Sequence, residues 1–155
     1  MYPVLRTVLN KGGAGRSISR AESVERIVPF VTRQLELLKA YDGATSRLSN
    51  GVTRQRMEEV VLPNLRTELN KLYETVFSLG GAAPTGAEME WTGSALSGGD
   101  DDVLRELIEL DQAFSADLRE EIDAVHHQER VRAILGHNAG GSDDRVAFVR
   151  RLVNA

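Results

Sequence analysis

The chain has 155 residues and no cysteine, which excludes thiolate nucleophiles, zinc knuckles, iron–sulfur ligation and disulfide frameworks. Aromatic residues make up only 5%, with a single tryptophan, and there are four prolines and three histidines. No apolar run approaches the ~18 residues that a membrane-spanning helix requires. No signal-peptide core follows the first charge either, so a cytoplasmic protein without a transmembrane segment is expected. The sequence also lacks a G-x-S-x-G elbow, a Walker glycine loop and any Glu-x-x-His pair, which leaves carboxylates, hydroxyls and the three histidines to carry chemistry. No strand pattern and no internal repeat is visible. A chain of this length buries about two-thirds of its unfolded surface, enough for one self-sufficient domain.

Charge is unevenly distributed. Residues 1–20 hold Arg6, Lys11, Arg16 and Arg20 and no acid, while the remainder carries a net −8 within an overall −4. Binding of nucleic acid through the acidic body is therefore not expected, because a phosphate-binding surface needs a dense basic patch. Residues 1–18 read as a basic, glycine-rich arm, and residues 19–155 as a single helical-bundle domain.

From Ser19 onward the apolar residues recur at three- and four-residue steps. Val24, Ile27, Val31, Leu35, Leu38 and Tyr41 predict a first helix over about 21–48, interrupted by Pro29. Met57, Val61, Leu65, Leu69, Leu72 and Val76 predict a second over about 52–79, with Pro63 inside it and Gly80-Gly81 as its stop. The short Ser49-Asn50-Gly51 link makes these two antiparallel neighbours. Residues 80–101, rich in glycine and containing Trp91, predict a long crossover that lets helix three run parallel to helix two. Asp100, Asp101 and Asp102 suit a helix N-terminus, and Val103, Leu107, Leu110, Phe114, Leu118 and Ile122 extend the stripe to about 125 or beyond. Gly140 to Asp144 reads as a loop, followed by a short last helix over about 146–153. The fold class is all-α, a helical bundle.

Carboxylates that interrupt an apolar stripe are the candidate functional residues, because burial is costly for a charge that is neither paired nor used. Asp42 on helix one, Glu68 on helix two and Asp111 on helix three occupy such positions, with Glu58 a turn before Leu62. Asp123 and His126 form the nearest approach to a Glu-x-x-His pair. Carboxylates converging from separate helices build di-metal centres in bundles. They are equally what boundary residues paired with Arg or Lys look like. His137, beside Gly136 at an expected helix end, suits a C-cap.

Leu79-Gly80-Gly81-Ala82-Ala83-Pro84, then Trp91, then Gly99-Asp100-Asp101-Asp102-Val103-Leu104 resemble the ferritin-like superfamily, in particular bacterial proteins related to rubrerythrin. That resemblance covers about 20–125 and implies a carboxylate-bridged iron or manganese pair, with Asp42, Glu68 and Asp111 nearest its ligand positions. The missing Glu-x-x-His pairs and the short fourth helix depart from the pattern. The residues alone favour a non-enzymatic interaction or structural module without a cofactor. It would bind a protein partner or a second copy through its amphipathic faces and basic arm; the alternative is an iron-handling or oxidase protein.

Overall fold

In the computed structural model the described residues are 19–86, 97–125 and 128–154, and every regular element among them is helical. The basic arm, Trp91 and the pair His126-His127 lie outside the described residues. Helix α1 spans Arg20–Arg47. Helix α2 is built of three consecutive stretches, Gly51–Arg56, a π-helical turn Met57–Val61, and Leu62–Ser78. Helix α3 spans Asp100–Ala124 and α4 spans Glu129–Leu152.

Local chemistry sets most of these ends. Ser19 Oγ accepts from Glu22 N at 3.1 Å to start α1, and Asn50 Oδ1 accepts from Val52 N and Thr53 N to start α2. Gly80, at φ 81°, closes α2 by letting Gly81 N reach Val76 O at 3.0 Å. Gly81 is needed for a different reason, since a Cβ there would collide with the Val24 side chain. Pro63 accounts for the π turn: it has no N–H to donate to the Glu59 carbonyl, and the ladder slips so that Leu62 N donates to Met57 O.

Helix directions follow from cross-helix pairs. Arg26 with Glu121, Arg33 with Asp117, Tyr41 with Asp111 and Ser49 with Asp100 run in opposite orders along α1 and α3. The two helices are therefore antiparallel. Gln34 with Glu68, and Val24 with Gly81, make α1 and α2 antiparallel as well, so α2 and α3 point the same way. Arg132 Nη1 donates to Ile122 O at 2.8 Å, Ser115 Oγ to Asp143 at 2.8 Å and Asn154 N to Asp101 at 3.0 Å, which lays α4 antiparallel along α3. Asp100 joins two connections at one end of the bundle. Its carboxylate accepts from Ser49 N and Asn50 N, both at 2.9 Å, and these bonds hold its pKa below the usual value.

Between the helices lies one core that includes Ile27, Val31, Tyr41, Met57, Leu65, Leu72, Leu107, Phe114, Leu118, Val131, Leu135 and Val149. The expected loop at Gly140 to Asp144 and the short last helix are corrected by the structure, in which α4 continues through all three of its interior glycines, Gly136, Gly140 and Gly141. The reason is packing. Val131, Leu135, Asn138, Ser142, Arg145 and Val149 all face inward, a run of four- and three-residue steps in which half the members are polar. Tertiary contact outweighs the low helix propensity of glycine at a cost of about 1 kcal/mol each.

The two adjacent glycines test this account. Gly140 is exposed and a Cβ there meets nothing, whereas at Gly141 it would overlap the Glu68 carboxylate. Gly140→Ala is expected to raise stability by up to about 1 kcal/mol. Gly141→Ala is expected to lower it despite the same gain in propensity, with urea unfolding as the measurement.

Candidate functional site

At mid-height of the bundle the four helices contribute one buried polar network. Arg145 of α4 is its centre, 2% exposed. Its Nε donates to Asp111 Oδ2 and its Nη2 to Asp111 Oδ1, both at 2.9 Å, the two-pronged geometry that matches a planar guanidinium to a carboxylate. Its Nη1 donates to Glu68 Oε2 at 2.5 Å and to Asn64 Oδ1 at 3.1 Å, both from α2. One guanidinium thus ties three helices together.

The fourth helix enters through two side chains of α1. Tyr41 Oη donates to Asp111 Oδ2 at 2.5 Å, and Gln34 Nε2 donates to Glu68 Oε2 at 3.3 Å. Asn138 Nδ2 of α4 donates to Gln34 Oε1 at 3.2 Å, and Ser142 Oγ donates to Asp111 Oδ1 while lying 2.9 Å from the Asp111 carbonyl. Asp111 therefore accepts from Tyr41, Ser142 and Arg145. Asn138 Oδ1 is buried and, among the described residues, has no donor.

Electrostatics follow from two acids sharing one base. Burial pushes the Glu68 carboxyl above its ordinary value, and the opposing effects of Arg145, Gln34 and His137 do not cancel it. Burial would push the Arg145 guanidinium down, but its bonds to Asp111 and the charges of Asp111 and Glu68 outweigh that and raise it, so it stays cationic. The Tyr41 hydroxyl is raised by burial and by the Asp111 charge, and remains a donor.

The sequence candidates separate into two groups. Glu68 and Asp111 are buried and brought together. Asp42 is exposed on α1, which corrects its expected inner-face position: Tyr41 and Ala44 take the inward directions on either side of it. Glu58 and Asp123 are exposed, and His126 lies outside the described residues. His137, expected as a C-cap, sits inside α4 on its exposed side with Nε2 3.1 Å from Lys71 Nζ. Sequence reasoning missed Gln34, Tyr41, Asn64, Asn138, Ser142 and Arg145 as members of the site. For the last three, the spacing from Leu135 to Val149 carried the signal, hidden by taking only apolar residues as inward.

A carboxylate-bridged metal pair does not fit this donor set. Both oxygens of Asp111 are held by donors, Glu68 Oε2 accepts from a cation, and among the described residues no histidine reaches the cluster as a ligand. Among the described residues no group of three or more acids or histidines could hold a metal ion.

The raised Glu68 pKa has a signed consequence. An acid whose folded pKa lies above its unfolded value stabilises the fold below the ordinary glutamate range and loses that contribution as pH rises through the folded pKa. Unfolding measured from about pH 4.5 upward is expected to show the wild type losing stability relative to Glu68→Gln, because Gln keeps the acceptor without the charge. Parallel curves for the two proteins would refute the assignment.

Neither a family model nor a curated protein sequence matches the chain.

Proposed function

We propose that the chain is a helical interaction module, ferritin-like in topology with a long crossover between α2 and α3, whose business is association with a second copy or a partner subunit. The parallel α2 and α3, each antiparallel to α1, support the topology. The observation that carries the association is the face between α1 and α3. There Leu110 is 45% exposed beside a cleft of about 130 Å³ lined by Leu37, Ala40 and Phe114 and rimmed by Arg33 and Glu36. Opposite charges three residues apart on one helix rim are self-complementary across a two-fold axis, so that Arg33, which also pairs with Asp117 of its own chain, would face Glu36 of the other copy. The basic arm, residues 1–18, contributes by charge to an acidic partner surface.

Light scattering of the full chain at micromolar concentration tests this. A particle heavier than the 17.0 kDa monomer, returned to the monomer mass by Leu110→Glu, is the expected result. A monomer at all concentrations, or a larger particle indifferent to Leu110→Glu, would contradict self-association through this face.

A further inference from the structure

Glu68 and Asp111 approach one another from helices α2 and α3, and the space between their carboxylates is filled by the Arg145 guanidinium, which contacts both. Three further features are shaped to that arrangement. Gly141 has no side chain at the point where the Glu68 carboxylate passes α4. Tyr41 donates to Asp111 Oδ2 and Ser142 to Asp111 Oδ1, so each oxygen that meets Arg145 is also held by a neutral donor. Asn64 accepts from the Nη1 that also reaches Glu68.

We propose that this cluster is a cation site whose resident ion is the protein's own Arg145, so that the centre of the bundle is closed to external metal ions and specific for a planar, forked cation. Coulomb's law supports the closure. A second cation placed between the same carboxylates would meet a fixed positive charge at contact distance in a medium that screens poorly. Selectivity follows from geometry, since the planar Arg145 guanidinium makes four N–H···O contacts to three side chains, two of them as a fork on one carboxylate, a pattern that neither a lysine ammonium nor an octahedral metal ion reproduces.

Removing the tethered cation should leave a vacancy that a free one can fill. The test compares the wild-type full chain with Arg145→Ala by thermal melting, each in guanidinium chloride at about 10 mM, in equal sodium chloride, and in manganese(II) chloride, a ligand binding only the folded state being the source of any gain. The wild type is expected to melt unchanged in manganese or chelator. Arg145→Ala is expected to melt lower and to regain part of the loss in guanidinium, in a concentration-dependent way, beyond sodium chloride and beyond manganese. The direction is diagnostic because guanidinium otherwise lowers melting temperatures. Asp111→Asn in the Arg145→Ala background should abolish the recovery. If Arg145→Ala does not fold, helical circular dichroism regained on adding guanidinium serves as the readout, and Arg145→Lys should fold but melt below the wild type. Stoichiometric manganese binding by the wild type, guanidinium acting on the variant no differently from sodium, or Arg145→Lys melting as the wild type does, would overturn the proposal.

Discussion

Burying a guanidinium and two carboxylates in the middle of a helical bundle removes three charges from water, a cost of several kcal/mol per ion even after relaxation. It is offset only because the groups meet at hydrogen-bonding distance, with both Asp111 oxygens and all three Arg145 nitrogens bonded. That condition constrains everything around it. Gln34 and Tyr41, Asn64 and Glu68, Asp111, and Asn138, Ser142 and Arg145 must arrive from four helices within a layer about two helical turns deep. A slide of one helix by a turn would separate donors from acceptors by about 5.4 Å. An apolar core of leucine and valine supplies the bulk of the driving force and tolerates such slides more readily. The polar layer is what selects one register.

The same constraint explains irregular features elsewhere. Gly141 sits in mid-helix, where glycine is unfavourable, because Glu68 needs the volume. The π turn at Met57–Val61 places an extra residue in α2 just ahead of Asn64 and Glu68, which sets the angular phase at which those two side chains face the core. At the molecular ends, Asp100 ties the α1–α2 link to the start of α3, and Arg132 covers the last carbonyls of α3. The interior network is closed within the bundle, while the apolar cleft by Leu110 lies on the outside.

How much of this was legible in the sequence depended on whether an inward position was apolar. The stripes through Val31, Leu65 and Leu107 gave three helices with ends close to those observed, and Gly80-Gly81 and Asp100 to Asp102 marked their boundaries as glycine and helix-dipole chemistry require. Asp111 and Glu68 stood out as charges on apolar faces. Helix α4 was misread because Asn138, Ser142 and Arg145 look like loop or surface residues one at a time. Their inward spacing becomes evident only when a buried carboxylate elsewhere demands a cation. Asp42 failed in the opposite way: its steps of seven from Leu35 and four from Leu38 allow either an inner or an edge position, and its neighbour Tyr41 takes the inner one. For α4 the spacing from Leu135 to Val149 was a signal within the single sequence, whereas for Asp42 the outcome turns on which partner a second helix supplies.

The central claim is that Asp111 and Arg145 act as one unit that organises the core. A double-mutant cycle with Asp111→Asn, Arg145→Met and the double variant, followed by urea unfolding at neutral pH, measures it most directly. The expected result is a coupling energy of about 3 kcal/mol, with the double variant more stable than the summed losses imply, because Arg145→Met strands the Asp111 charge in the core and Asp111→Asn removes the two-pronged partner of Arg145 while Glu68 remains in all three variants. Losses that add to within about 0.5 kcal/mol would contradict the account.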